Sequence, residues 1–571
     1  MDTARTTDRG RSDADARPAD GESPPVARGI ARRGADQLRA LLASRFAPNV
    51  ASFLADRQPL VWLLALALGI GVAGAAILFR LAIGVFQLPW LMTMSERVAS
   101  AAHAAAWWQI LLGPTLGGLA VGLILDRMVP GRRPHAVADV IEARAIHDSR
   151  IDPKVGLMSA FLAALSLGSG ASAGREGPVV HLGATLASYA VDRFHLSSSA
   201  RRTLLAAGVA AAVSASFNAP IAGVLFAHEV ILGHYALRAF VPSVIASVAA
   251  AVTARLYFGN FPAFVIPEYQ ITSYAEFPAF ALLGLAAAAV AVLFQLALVA
   301  TERITWQIEM ALPVRTMLSG LCVGTIALAF PEVLGVGYET TDHALYQKLP
   351  MMLLLSLIAA KIVATAVSLA GRFAGGIFSP TLYLGALTGA AFGSIATGVF
   401  PEMASSHGLY AILGMGAVAA AVLGAPISTT LIVFELTGGY GMTIALLLTV
   451  SIAVGSSHAL MGQSYFHWQL ARRGLFLQDG PHRAITRRLT VAGFMTPIEA
   501  GSSPVREADA PWLTAADTLE RALRAFDQSG LPHIAVVSEQ DPTVVVAWAD
   551  HLAALAAFNA ALIEATVEEH R

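Results

Sequence analysis

Charge is scarce in this chain: of 571 residues only 13% are Asp, Glu, Lys or Arg, while 56% are hydrophobic. Soluble globular proteins carry about 25% charged residues. The deficit is uneven, because charges crowd into about the first 58 residues and about the last 100. Cysteine is almost missing: Cys322 is the one copy, which excludes an intramolecular disulfide and a cysteine-based zinc cluster. No excess of positive charge is present either, since the net charge is −1, so nothing points to nucleic acid. No GxxxxGK[ST] loop occurs, which argues against an ATP-driven pump. The first 58 residues hold no apolar run of the kind a secretory signal needs, and they read as a disordered or loosely helical tail.

What the chain does contain is long uncharged runs, among them Leu60–Phe79, Trp107–Leu125, Phe277–Ala300 and Tyr410–Phe434, with a mean hydropathy of +0.62. Each run approaches or exceeds the ~20 residues that cross a bilayer core. The expected fold class is an all-α polytopic membrane protein. Its lipid-embedded part spans about 59–480, preceded by the 1–58 tail and followed by a soluble α/β part over 486–571. Basic clusters at Arg127, Arg132 and Arg133, at Arg201 and Arg202, and between Arg472 and Arg488 are expected on the cytoplasmic side, with both termini there too. Abundant Ala and Arg with little Lys fits a GC-rich bacterial genome, hence an inner-membrane location.

The membrane region repeats itself, in halves of about 59–260 and 275–480. Gly174-Arg-Glu-Gly-Pro-Val-Val-His-Leu-Gly-Ala184 aligns with Gly376-Ile-Phe-Ser-Pro-Thr-Leu-Tyr-Leu-Gly-Ala386, 202 residues on. Ala219-Pro-Ile through Glu229 aligns with Ala425-Pro-Ile through Glu435, 206 residues on. Four Gly- or Pro-interrupted segments break the apolar runs: Gly168–Gly177, Phe217–Pro220, Gly371–Pro380 and Gly424–Pro426. Irregular backbone at membrane depth is tolerated only where it is buried in protein or lines a cavity. In transporters built of repeats, broken helices meet at the substrate site. A helix start offers unpaired N–H groups and about half a positive charge, and glycine lets an anion approach the backbone. The substrate expected from this chemistry is a small anion held by the chain itself.

GREGP (174–178), FNAP (217–220), GGIFSP (375–380) and the GAP to FEL segment (424–436) resemble the CLC family of chloride channels and chloride–proton antiporters, in combination and in order. The resemblance covers about 60–480. It implies two inverted-topology repeats and a homodimer with one anion pathway per subunit. It places anions on backbone N–H groups around Gly174, Arg175 and Gly177 and at Ile377 and Phe378. Glu176 takes the role of gate, a carboxylate that occupies an anion position and leaves when protonated; Arg175 is expected to brace the loop. No cofactor is implied.

Three positions depart from the family pattern. His135 stands where a serine usually meets the anion; there it either donates a hydrogen bond, with some pH sensitivity, or caps a helix. Phe466 stands at the position of an anion-facing tyrosine, with Tyr465 beside it. Val230 occupies the place of the proton-relay glutamate, just after Glu229. Valine cannot carry a proton, which favours passive chloride transport over proton-coupled antiport, although His228 and Glu229 are adjacent and water can bypass a missing relay. An intact Pro178 speaks against a fluoride specialist.

Two readings of other classes fit the sequence less well. His228-Glu-Val-Ile-Leu-Gly-His234 is not a zinc HExxH, because the second histidine falls at i+6 rather than i+4. A cation or organic-solute carrier would place carboxylates or hydroxyls at the breaks. After Gly474 a helix over Asp517–Ser529, strands over His533–Ser538 and Thr543–Trp548, and a helix over Leu552–Ala561 resemble one CBS motif. Val491-Ala-Gly-Phe-Met-Thr-Pro resembles the start of another, with no room to be complete, which argues against nucleotide binding.

Overall fold

The structure, a computed structural model, describes residues 44, 47–259, 271–437, 441–477, 485–486, 489–498, 510–539, 541 and 543–570. Most of the tail expected over 1–58, and Arg483, Arg487 and Arg488 of the last basic cluster, lie outside them. The described residues up to Leu60 belong to one unit, and those from Val61 onward to a second.

Helices dominate. In chain order they are α1 (Ala47–Ala55), α2 (Gln58–Leu91), α3 (Val98–Ala104), α4 (Trp107–Met128), α5 (Val137–Ile146), α6 (Pro153–Gly168) and α7 (Glu176–Phe194). Then come α8 (Ser198–Phe217), α9 (Pro220–Phe226, continued as a π turn Ala227–Leu232), α10 (Leu237–Phe258), α11 (Phe277–Gln307) and α12 (Leu312–Ala329). The second half adds α13 (Tyr338–Leu345), α14 (Met351–Ala370), α15 (Phe378–Val399), α16 (His407–Leu423), α17 (Pro426–Thr437), α18 (Thr443–Met461) and α19 (Tyr465–Ala471). Among the described residues eight helical segments are long and apolar enough to cross a membrane, while α6, α16 and α17 are apolar but shorter. All four expected breaks are breaks: they separate α6 from α7, α8 from α9, α14 from α15 and α16 from α17.

The repeat seen in the letters is a repeat of contacts. Gly183 and Gly208 put α7 against α8 so closely that a Cβ on either would lie 2.4 Å from the other's carbonyl oxygen. In the second half Gly385 and Gly414 do the same for α15 and α16, at 2.3 and 2.4 Å. The halves also exchange hydrogen bonds. Ala374 N–H donates to Ser166 Oγ (3.0 Å), and Ser172 N–H donates to Ser368 Oγ (3.1 Å), each the counterpart of the other 202 residues on. A two-fold relation of the halves accounts for this pairing.

The two repeated glutamates show why proline precedes them. Pro220 and Pro426 open α9 and α17, where the missing N–H costs nothing. The next two N–H groups still need acceptors. Glu229 takes those of Ile427 (3.0 Å) and Ser428 (2.7 Å), and Glu435 takes those of Ile221 (3.1 Å) and Ala222 (2.7 Å). Each half caps the other's broken helix.

The C-terminal part holds a four-stranded sheet, order β1-β4-β3-β2, from β1 (Met495–Pro497), β2 (Trp512–Thr514), β3 (His533–Val537) and β4 (Val545–Asp550). β2 and β3 run parallel and the other pairs antiparallel. Helices α20 (Leu519–Ser529) and α21 (His551–His570) complete it. Leu519, Ala522 and Phe526 form the buried stripe of α20. That helix starts at Leu519 rather than Asp517, because Thr518 caps it through Arg521 N–H while the Asp517 carboxylate accepts from Thr514 N–H. β4 starts two residues later than expected, because Asp541 holds Thr543 in a turn through its N–H (2.9 Å) and hydroxyl (2.6 Å).

Candidate functional site

The two glycine-rich breaks lie against each other. Gly174 N–H donates to Gly376 O at 2.6 Å, and Gly376 N–H returns the bond to Gly174 O at 2.7 Å. This clasp sets the start of α7, capped by Arg175 with Glu176 as first residue, beside the start of α15, capped by Ile377 with Phe378 as first residue. A Cβ on Gly376 would meet Gly177 N at 3.0 Å, tighter than ordinary van der Waals contact, so glycine eases the approach. Where the two starts meet there is a cavity of about 20 Å³, lined among others by Ala136, Val137, Glu176, Gly177, Ile377, Phe378 and Phe466. A third helix start, that of α5 at Ala136–Val137, reaches it. Three helix starts, each with a partial positive charge, surround a volume large enough for one water-sized solute, a setting that favours negative charge.

Two larger spaces lie near the cavity. Toward α19 opens a vestibule of about 430 Å³, lined by Arg133, Asp139, Glu142, Arg372, Tyr465 and Arg473 among others, and it shares Ala136, Gly376, Ile377 and Phe466 with the cavity. Phe466 therefore stands at the boundary between them. Toward α13 lies a recess of about 250 Å³ with Arg80, Glu96, Arg175 and Tyr338 in its wall. Glu176 touches that wall while it lines the cavity: its Oε1 accepts from the Tyr338 hydroxyl at 2.7 Å, and its Oε2 from the Ser379 hydroxyl. It is buried, with 1% of its surface exposed. Arg175 reaches the other way. Its Nη1 lies 2.7 Å from Glu96 Oε1, its Nε 3.7 Å from Glu176 Oε1, and its guanidinium 4.9 Å from the centre of the Tyr338 ring. Glu96 also pairs with Arg80. Burial pushes the Glu96 carboxyl up, but Arg175 and Arg80 outweigh it and hold the group below the ordinary carboxylate range.

A family model described as "Voltage gated chloride channel" matches residues 117–458. The chain belongs to the voltage-gated chloride channel family. A ClcB-like protein of Ralstonia nicotianae is 32% identical over 417 residues, covering 72% of this chain and 97% of the relative. "Voltage-gated ClC-type chloride channel ClcB" of Escherichia coli is 31% identical over 415 residues, covering 72% and 98%. The crystal structure of "a slow cyanobacterial Cl−/H+ antiporter" shares the fold at a TM-score of 0.64 and 22% identity, covering 72% of this chain and 97% of that one.

Within this chloride-channel framework, Glu176, Gly177, Ile377, Phe378 and Phe466 gather around one cavity, and Gly174 makes the clasp beside it. Arg175 faces the recess and binds carboxylates. Tyr465 lines the vestibule but is not among the cavity's lining residues. His135 lines neither space; its Nδ1 lies 3.4 Å from Asp139 Oδ1, and its ring centre 5.5 Å from that of His181. Because α5 begins at Val137, Ala136 and Val137 come to the cavity while the histidine lies against Asp139 of that helix. Sequence reasoning did not find Tyr338, Ser379 or Glu96. Ser379 lay in plain view inside GGIFSP, and Tyr338 follows Gly335-Val-Gly337, one more glycine-marked helix start.

Proposed function

We propose that the chain moves chloride, or a similar small anion, passively across the membrane through this backbone-lined cavity, with Glu176 as the gate. The observation that carries the reading is the position of the Glu176 carboxylate, at the meeting of the α7 and α15 starts and between the cavity and the recess. A carboxylate fits a site made for anions, and it must leave for an anion to pass. Support for the substrate comes from the relatives named as chloride channels. We extend the proposal to a homodimer with one pathway per subunit in a bacterial inner membrane, its C-terminal 486–571 a separate cytoplasmic module.

Proton-coupled antiport is the second reading, favoured by the antiporter whose fold the chain shares. Against it stands Val230, an aliphatic side chain on the π turn after α9 at the relay position. The deciding measurement is the reversal potential of the reconstituted protein under opposed chloride and proton gradients. A value at the chloride equilibrium potential supports passive conduction, and a shift with the proton gradient supports antiport. Flux that follows potassium and ignores chloride would overturn the anion reading altogether. Glu176→Gln is expected to alter gating while anion flux persists.

A further inference from the structure

Glu176 is gripped by side chains of two other helices, and neither side chain is part of the backbone cradle. Tyr338, the first residue of α13, donates to Oε1, and Ser379, in the first turn of α15, donates to Oε2. Two neutral donors, one per oxygen, satisfy a carboxylate without cancelling its charge. They suit the ionised form, because a protonated carboxyl must turn one oxygen into a donor.

Tyr338 has a reason to stay where it is. The segment before it is irregular, with Gly335 at φ 60° and Gly337 at φ 88°. It is tied down by Lys361, a wholly buried lysine on α14. The ammonium donates to Val333 O and to Gly335 O, each at 2.9 Å, and stands 5.0 Å from the centre of the Tyr383 ring. An ammonium is costly to bury unless its donors are met, and the two carbonyls that meet these lie three and five residues before Tyr338.

We propose that Tyr338 and Ser379 form a latch that keeps the Glu176 carboxylate seated at the start of α15, with Lys361 as the positioning residue that fixes the approach of Tyr338. The proposal rests on Glu176 being the gate, and it adds what sets the stability of the closed state. Other charged groups facing the carboxylate are Arg175 on its own helix and, behind it, Glu96 in the loop before α3. His181 lies five residues further along α7, about 7.5 Å by helix rise, with His135, just before α5, beside it and Asp139 of α5 next to that histidine.

The test is chloride efflux from liposomes holding the full-length chain, followed from pH 4 to pH 8. Tyr338→Phe is expected to raise efflux at pH 7.5 and to move the half-activation pH upward by about one unit. That corresponds to about tenfold for a hydrogen bond lost from a charged group. Ser379→Ala, which trims a single oxygen, moves the profile the same way and stands in if the tyrosine variant misfolds. Lys361→Met moves it in the wild-type background but not beside Tyr338→Phe. In a Glu176→Ala background Tyr338→Phe and Ser379→Ala change nothing. If Tyr338→Phe and Ser379→Ala leave the profile at its wild-type position while Glu176→Ala abolishes gating, the latch is wrong and the gate stands. If Glu176→Ala gates like wild type, the gate reading falls first. An equal effect of Tyr338→Phe with and without Glu176 overturns the latch, since the tyrosine then acts elsewhere.

Discussion

What a buried carboxylate next to three helix starts can do is set by its neighbours. Around Glu176 the sequence showed Gly174 and Pro178, which are local and repeat at Gly376 and Pro380, whereas the role of gate rests on the family resemblance, since Phe378 stands at the counterpart position. It did not show Tyr338, which meets Glu176 across 162 positions and belongs to no periodic pattern. Nor did it show that His135 would turn aside, since one residue of shift in the start of α5 decides that. Phe466 offers the clearest test at this scale. It borders cavity and vestibule with no polar atom to offer. Phe466→Tyr adds a hydroxyl there and is expected to tighten chloride binding about fivefold, the usual worth of one neutral hydrogen bond. Isothermal titration in detergent measures it, and an unchanged affinity would place the ring outside the anion's path.

Broken helices need caps, and in this fold the caps are exchanged between elements of opposite halves. Glu435 satisfies two N–H groups at the start of α9 in a partly exposed setting, so Glu435→Ala should cost about 2 kcal/mol and lower the melting temperature. Glu229→Ala should cost a similar amount at α17, and a value near zero for either would show that water replaces the carboxylate. Close helix packing gives a second test. On Gly385 of α15 a Cβ would stand 2.3 Å from Gly414 O, whereas on Gly398 of the same helix it meets nothing within 4 Å. Gly385→Ala is therefore expected to destabilise by about 1–3 kcal/mol or more, while Gly398→Ala holds or gains stability, as thermal unfolding would report. Both effects were half visible in the letters. The offset of 202 marked Gly183 and Gly385 as equivalent, but only the fold shows that each faces a second glycine.

For the molecule as a whole, composition alone announced a membrane protein with a polar end, and the change of composition after Gly474 located that end. The C-terminal sheet has a core of its own: Val491, Leu513, Leu519, Phe526, Ile534 and Val536 belong to a cluster that includes no residue of the helical part. A chain stopped after Leu477 is accordingly expected to reconstitute and to pass chloride in a liposome efflux assay. Loss of flux with retained helicity would mean that the C-terminal part supports transport directly.

The exchange of caps also bears on how the protein is made. When Glu229 leaves the ribosome, the amides it will bind at Ile427 and Ser428 are still 198 and 199 positions away. At about 5–20 residues per second that is a wait of about 10–40 s. Through that interval the start of α9 and the Glu229 carboxylate sit in or near lipid with their final partners unsynthesised. The nascent first half must therefore be sheltered, by water at the interface or by the insertion machinery, until its counterpart arrives.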